Sequence, residues 1–271
     1  MVTDRAEIAA GDDGGADWHR RVVGRSLHDA KRRSIDRGTR FVRAAANVLD
    51  RSDGASLTVQ EVADEAGQSL RTLYQYFESK DDLLLAVFEE AMRTYAQMIR
   101  GAIGELTDPV DRLAGAMIAA ARMPEYSGTG VDRGLARLRL KLAEVKPDDV
   151  GRAQSELTTL VRELVDAAAA AQRIEVADAE AATFMLLSLN AAFITADMLG
   201  NDAGVRRPDV ATLVAFCLQG LGAELDSGWL ARVDAGLRLP SRRRRAEAAA
   251  PRSPRRARRP SAPRKRPTKK A

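Results

Sequence analysis

The sequence is poor in the side chains that most enzymes use for chemistry. Its 271 residues include one cysteine, Cys217, and two histidines, His19 and His28. A single cysteine excludes a disulfide within the chain, which suits a reducing compartment and predicts a cytoplasmic protein. The sequence also lacks clustered His/Cys metal spacing, a glycine-rich phosphate loop and a nucleophile motif. It therefore predicts no catalytic residue, no metal site and no cofactor, and it argues against an enzyme.

Long apolar runs and a secretory leader are missing as well. The first thirty residues carry charges throughout and have no apolar segment of the kind that signal peptides contain. The most apolar stretch, residues 182–200, is interrupted by polar side chains such as Thr183, Asn190 and Asp197. We therefore interpret it as a helix buried in a protein bundle, and we expect no membrane partner.

β-Strand patterning is a third absence. No segment of any length alternates apolar and polar residues as a half-buried strand does. Apolar residues instead recur at helical spacing, which predicts an all-α fold. The predicted longer helices lie at 34–49, 81–103, 107–124, 131–145, 148–172, 178–199 and 208–223, with a short helix near 227–237 and a loop at 127–130.

What is present is concentrated in residues 58–84. Thr58 and Glu61 form a capping-box pattern at the start of a short helix. Gly67 follows at the position where a helix C-cap needs a positive φ, and Ser69 is placed to cap a second short helix. Two short helices joined by a glycine-containing turn predict a helix-turn-helix, whose second helix enters the major groove of DNA.

Several residues of this stretch match a known family in fixed register. They are Ala66-Gly67, Ser69, Thr72-Leu73-Tyr74, Tyr76-Phe77 and Ser79-Lys80-Asp81-Asp82-Leu83-Leu84. On these residues the chain resembles the DNA-binding domain of the TetR family of transcriptional regulators, over roughly residues 34–90. Gln68 and Arg71 depart from the usual pattern, which has an apolar residue and often a glycine at these positions. Gln68 would loosen the turn slightly, and Arg71 would add a DNA contact.

One group of side chains is predicted to bind double-stranded DNA. Arg71 can donate bidentately to O6 and N7 of guanine. The resemblance implies a base contact for Tyr74 and phosphate contacts for Tyr76 and Lys80. The alternatives are a capping role alone for Thr58, a solvated charge for Lys80 and packing on the protein for Leu70. The predicted DNA-binding residues are Thr58, Gln60, Ser69, Leu70, Arg71, Thr72, Tyr74, Gln75, Tyr76 and Lys80.

The resemblance also implies a second copy of the chain and a small-molecule effector. Two C-terminal helices would pair with their counterparts in a homodimer, because one head offers few contacts for tight specific binding. The interface candidates are Met185, Leu189, Phe193, Leu213, Phe216 and Leu221. The effector would enter the helical body and displace the 81–103 helix. The pocket candidates are Met117, Met123, Tyr126, Leu138, Phe184 and Asn190; ordinary core packing is the alternative for both groups.

Basic residues are concentrated at the end of the chain. Residues 241–271 hold fourteen Lys or Arg and one acid, and the remainder of the chain holds 29 basic and 37 acidic residues. Five of the ten prolines also lie in this segment. The composition predicts a disordered tail that neutralises DNA phosphates without reading sequence. A solvated tail with no dedicated partner is the alternative.

These observations predict four segments: a mobile N-terminal arm at 1–33, a helix-turn-helix DNA-binding domain at 34–80, a helical effector-binding and dimerisation domain at 81–238, and a disordered basic tail at 239–271. The predicted function is that of a TetR-like homodimeric repressor, which binds a near-palindromic operator and is released by a small molecule. We expect it in the cytoplasm, on the nucleoid when DNA-bound. Two rivals are an architectural DNA-binding protein dominated by its tail and a regulator that responds to a protein partner.

Overall fold

The computed structural model describes residues 16–52, 57–127, 129–200, 204 and 206–239. Within these ranges it contains eleven α-helices and no β-strand, which confirms the predicted all-α fold. The predicted basic tail lies outside the described residues from position 240 onward.

The helices follow one another with short connections. They are α1 (Ala16–Arg51), α2 (Val59–Ala66), α3 (Leu70–Tyr74), α4 (Lys80–Ala102), α5 (Pro109–Ser127), α6 (Thr129–Val145), α7 (Pro147–Ala153), α8 (Ser155–Ala170), α9 (Ala179–Leu199), α10 (Val210–Gly220) and α11 (Trp229–Gly236). The predicted helices at 81–103, 178–199 and 208–223 correspond to α4, α9 and α10 within a few residues.

The first helix begins much earlier than the sequence pattern predicts. We expected it to start near residue 34, after a mobile arm, but α1 runs without a break from Ala16 to Arg51. Residues 16–33 lack an apolar stripe, yet they contain no proline and five arginines, and arginine is a good helix former. The structure therefore corrects the start of the first helix to Ala16.

Two other boundaries also differ from the prediction. The loop expected at 127–130 is reduced, since α5 continues through Pro124 to Ser127 and α6 starts at Thr129. The helix expected at 148–172 is divided into α7 and α8 at Gln154, whose φ of −90° and ψ of −2° depart from the regular helix. Apolar periodicity continues across such a one-residue break, so the pattern alone did not reveal it.

The N-terminal helices pack around one hydrophobic cluster, which we call the head cluster. Its largest fully buried side chains are Phe41 and Phe88. The cluster also includes Leu135, Leu138 and Leu142, which belong to α6. Its buried members are Phe41, Ala44, Ala45, Val48, Leu49, Leu57, Val62, Ala63, Leu73, Leu83, Leu84, Val87, Phe88, Leu135, Leu138, Leu142, Val150 and Ala153. The helix-turn-helix therefore shares its core with α6 and α7.

A second cluster, the body cluster, lies among the C-terminal half of α4, α5 and α8–α11. Ile99, Leu113, Ile118 and Leu218 are among its most deeply buried side chains. The α4 helix contributes to both clusters. Leu83, Leu84, Val87 and Phe88 belong to the head cluster, and Ala96, Ile99 and Ala102 belong to the body cluster. The domain boundary at residues 80/81 stays a prediction, because the head cluster extends across it.

Candidate DNA-binding surface and effector cavity

The first short helix of the head, α2, starts at a capping box. The side-chain oxygen of Thr58 accepts a hydrogen bond from the Glu61 backbone N–H at 3.2 Å. The Glu61 carboxylate in turn accepts from the Thr58 hydroxyl at 2.7 Å and from its backbone N–H at 2.8 Å. These two hydrogen bonds hold the pKa of Glu61 below its ordinary value, because they favour the ionised carboxylate. The predicted cap is confirmed, and the Thr58 hydroxyl both donates to and accepts from Glu61.

The turn between α2 and α3 depends on one left-handed residue. Gly67 has φ 63° and ψ 37°, a conformation that costs glycine little and other residues more. The Gln68 backbone N–H donates to the Ala63 carbonyl at 2.9 Å, which closes the end of α2. Ser69 then caps α3 by accepting from the Thr72 backbone N–H at 3.1 Å. Both predicted caps of the turn are confirmed.

The short helix α3 presents polar and aromatic side chains to solvent. Leu73 is completely buried in the head cluster and anchors the helix. Arg71 is exposed, and Tyr74 is 50% exposed although its ring is large. Tyr76 is half-buried, with its ring centroid 6.0 Å from that of Phe41. Arg71 and Tyr74 of this helix therefore face solvent, while the buried Leu73 fixes the position of the helix.

All ten predicted DNA-binding residues are at least partly accessible to solvent. The exposed ones are Thr58, Gln60, Ser69, Arg71, Tyr74, Gln75 and Lys80, and the half-buried ones are Leu70, Thr72 and Tyr76. The Gln60 amide donates to the Asp64 carboxylate at 2.8 Å, which gives its side chain a partner within α2. Lys80 is the first residue of α4. The role of each residue in DNA binding stays a prediction.

A cavity of about 730 Å³ lies among α4, α5, α6, α8 and α9. Its walls combine members of both clusters: Phe88 and Leu135 come from the head cluster, and Ile99 and Met123 from the body cluster. The volume falls in the range that is typical of small-molecule sites, roughly 300–1,000 Å³. The cavity therefore lies where the two cores meet.

The predicted pocket residues divide between the cavity wall and the packed interior. Met123 and Phe184 line the cavity. Met117 lies in the body cluster and Leu138 in the head cluster, and neither lines the cavity. Apolar periodicity does not distinguish a cavity wall from a filled core, which explains the difference.

Neither of the other two pocket candidates, Asn190 and Tyr126, has a described side chain on the cavity wall. Asn190 is buried, and its side-chain amide donates to the Met117 carbonyl at 3.1 Å. Its Oδ1 is buried without a hydrogen-bond partner, and the residue does not line the cavity. Tyr126 lies near the end of α5, and its side chain is outside the described residues.

The cavity wall is mainly apolar and carries few charged groups. Arg162 is held by Asp166, with Nε 3.0 Å from a carboxylate oxygen. Glu163 accepts from Arg100 of α4 at 2.7 Å. Arg139 of α6 also lines the cavity and is half-buried. Sequence reasoning missed Arg139, because one arginine on a helix normally indicates a solvated face.

The outer faces of α9 and α10 form an apolar surface. Met185 is 53% exposed, Leu189 42% and Phe216 68%. Phe193 is half-buried, and the Arg207 guanidinium lies 5.7 Å from the centre of its ring. The other two interface candidates, Leu213 and Leu221, are half-buried against the body cluster. Three of the six candidates are therefore large exposed apolar side chains.

The α9 helix is also the one described helix whose length and composition would suffice to cross a membrane. Its segment Ala179–Met198 has a mean hydropathy of 1.4, and 22% of that window is buried. We expected this segment to be buried in a bundle, and within the single chain it is not. The reason is that α9 turns one apolar side to the cavity and another to solvent.

The fold and these sites define a class: an all-helical protein with a helix-turn-helix head and a helical body that encloses a cavity. Residues 41–87 match the family described as bacterial regulatory proteins, tetR family. The match falls within residues 34–90, over which the sequence resembles this family.

Relatives of known name match about a third of the chain. The regulator HbdR of Aromatoleum sp. (strain CIB) is 34% identical over 84 residues, which cover 31% of this chain and 37% of HbdR. The transcriptional activator FasR of Mycolicibacterium smegmatis is 34% identical over 94 residues, covering 35% of this chain and 42% of FasR. The match therefore spans less than half the length of either regulator.

Solved structures extend the similarity of fold to the body. The regulator RolR in complex with resorcinol has a TM-score of 0.56 at 17% identity, covering 78% of this chain and 98% of RolR. FadR of Bacillus subtilis in complex with stearoyl-CoA has a TM-score of 0.52 at 20% identity, covering 68% of this chain and 96% of FadR. At these identities the comparison concerns the fold alone.

Proposed function

We propose that the chain is a homodimeric repressor that binds a near-palindromic operator and is released by a small molecule held in the cavity. The observation that carries the proposal is the position of the cavity between the head and body clusters. A ligand there would contact Phe88 of the head cluster and Ile99 of the body cluster on the same helix, α4. A ligand that binds two arrangements of α4 with different affinity would shift their populations.

Two copies of the chain would present two α3 helices to successive major grooves, about 34–36 Å apart. The apolar side chains of α9 and α10 support this assembly, because a monomer gains nothing by exposing Met185, Leu189 and Phe216 to water. The cytoplasm, with the nucleoid when DNA-bound, is the proposed location. RolR and FadR, whose structures contain resorcinol and stearoyl-CoA, support a ligand-responsive body by fold alone.

Selection of bound sequences from random DNA tests the operator. We expect the full chain and residues 1–239 to enrich the same inverted repeat, with the tail adding affinity at low salt. The architectural rival rests on the fourteen basic residues of the tail. It would replace our proposal if neither protein enriched a motif while both bound DNA at low salt.

Arg71→Ala tests direct base readout by α3. We expect a loss of about 1–3 kcal/mol in operator binding and relaxed preference at one base position per half-site, because a bidentate guanine contact disappears. Lys80→Ala is the matched control, since losing a phosphate contact weakens all sequences about equally. Measured by the same selection and by titration of operator DNA, an unchanged preference in Arg71→Ala would remove Arg71 from base readout.

The double variant Leu189→Glu/Phe216→Glu tests the homodimer. Two carboxylates per chain in an apolar interface should abolish association, because each would be desolvated without a partner. Sedimentation velocity should then report a dimer for the wild type and a monomer for the variant. Leu140→Glu is the control, because Leu140 is 53% exposed on α6 rather than on α9 or α10. A wild-type monomer, or a variant that still dimerises, would contradict this part of the proposal.

A further inference from the structure

The charged groups on the cavity wall are not equivalent. Arg162 is neutralised by Asp166 and Glu163 by Arg100. Glu180, in the first turn of α9, is exposed to water. Arg139 differs from all three, because it is half-buried and makes no hydrogen bond or ion pair with any described residue. The wall thus contains one partly desolvated guanidinium whose donors are unused.

An unused guanidinium at a cavity favours a particular kind of ligand group. Arginine presents its N–H donors in a planar fork that fits the two oxygens of a carboxylate. A partly buried charge without a partner has lost hydration that a bound anion would replace. A neutral polar group would recover less of this interaction, and a cation would be repelled.

The remaining wall indicates the shape of the rest of the ligand. Along α4 the lining residues extend from Phe88 to Ile99, about 16 Å of helix. Along α9 they extend from Glu180 to Met198, about 27 Å of helix. Met92, Leu157 and other apolar side chains cover most of the surface between them. A mainly apolar wall that extends along two helices is suited to a chain rather than to a single ring.

We propose that the cavity binds an amphipathic carboxylate, with its carboxylate on Arg139 and its apolar chain between α4 and α9. This deepens the proposed function by naming the class of the effector, and it rests on that function only for the consequence at DNA. Arg139 lies two positions from Lys141, whose Nζ is 2.8 Å from Asp81 at the start of α4. A carboxylate bound at Arg139 therefore acts on the helix that holds the head end of α4.

Three probes of similar chain length test the ligand class on the full chain. They are dodecanoate and dodecyltrimethylammonium, each below its critical micelle concentration, and dodecan-1-ol below its solubility limit. Binding is measured by isothermal titration calorimetry without DNA. We expect dodecanoate to bind at least tenfold more tightly than the alcohol and the cation. Equal binding of dodecanoate and the alcohol would overturn the proposal. It would also be overturned if octanoate, dodecanoate and hexadecanoate all failed to bind.

Variants of Arg139 test the residue. Arg139→Gln should remove the preference for dodecanoate over the alcohol and leave alcohol binding unchanged, whereas Arg139→Lys should retain part of the preference. The control is Arg137→Gln, an exposed arginine on the same helix that does not line the cavity. A preference that survives Arg139→Gln would overturn the assignment, provided thermal melting shows the variant to be folded.

Release of the operator is measured in a separate experiment. The ligand class and the effector role can then be contradicted independently. Arg139-dependent binding of dodecanoate supports the ligand class even when the operator stays bound, and that result would count only against an effector role. Release of the operator by dodecan-1-ol as effectively as by dodecanoate would overturn the ligand class and leave the switch in place.

Discussion

The head and body clusters differ in how their members are distributed along the chain. The body cluster is built from the C-terminal half of α4, from α5 and from α8–α11, and contains no residue of α6 or α7. The head cluster is completed from a distance, because Leu142 and Val150 lie more than fifty residues beyond Phe88. Because α6 and α7 complete the core of the DNA-binding head, a ligand that shifts α6 would also change the packing of the head. The shared helix α6 therefore connects the cavity to the head core through direct side-chain packing.

The largest expected effect comes from removing the distant part of the head cluster. Leu142 is completely buried, so Leu142→Ala should lower the free energy of unfolding by about 2–5 kcal/mol and weaken operator binding. Leu140→Ala, two residues away and 53% exposed, should change stability by less than about 0.5 kcal/mol. Urea unfolding and operator titration measure both variants. A Leu142→Ala protein as stable as the wild type would show that the head does not depend on α6.

Glycine-to-alanine substitutions should have opposite signs in the two regions. Gly67→Ala places a side chain at φ 63° in the turn of the head and should cost about 1–2 kcal/mol. Gly101→Ala lies within α4, where a Cβ would meet no atom within 4 Å, and should stabilise by about 0.5–1 kcal/mol. Thermal unfolding of the two variants compares them directly. The same sign for both would contradict the left-handed turn.

The smallest expected effect concerns an ion pair within the head, between the start of α4 and the residue before α7. Lys146, just before α7, donates to Asp82 in the first turn of α4, and the Ser79 hydroxyl donates to the same carboxylate. These partners hold the pKa of Asp82 below its ordinary value. A depressed pKa contributes stability that is present above the unfolded-state value of about 3.9 and is lost as pH falls through the folded-state value.

Asp82→Asn should therefore be less stable than the wild type at neutral pH, and the difference should vanish in acid. Urea unfolding between about pH 7 and pH 3 measures it. Glu78→Gln is the control, because Glu78 is exposed and has no hydrogen-bond or ion-pair partner among the described residues. A difference that does not change with pH would mean that the Asp82 charge contributes nothing.

Sequence reasoning located the head well because its determinants are local. Thr58, Gly67 and Ser69 each fix a helix end through hydrogen bonds to residues at most five positions away, and all three caps occur as predicted. Because a cap requires a specific residue type at a specific spacing, the pattern can be recognised in a single sequence.

The cavity and the shared core could not be predicted in the same way. Leu138 has the same helical periodicity whether it faces a ligand, the head or the body, and only the arrangement of α6 decides among these. Arg139 can be recognised as a ligand-binding candidate only from the structure, which shows that no described residue pairs with it. The start of α1 was missed for another reason: a helix formed without an apolar stripe has no periodicity to detect.

Gln154 is the single residue that separates α7 from α8. On its N-terminal side Val150 and Ala153 are packed in the head cluster, and on its C-terminal side Leu160 is packed in the body cluster. Its own side chain lines the cavity. A change in the two backbone dihedral angles at this position would turn α7 relative to α8 without unwinding either helix. The hydrogen bonds that such a rotation would strain are those of Gln154 itself, whose N–H donates to the Val150 carbonyl at 3.2 Å and whose carbonyl accepts from the Thr158 N–H at 3.0 Å. Hinge motions of this kind fall in the microsecond-to-millisecond range.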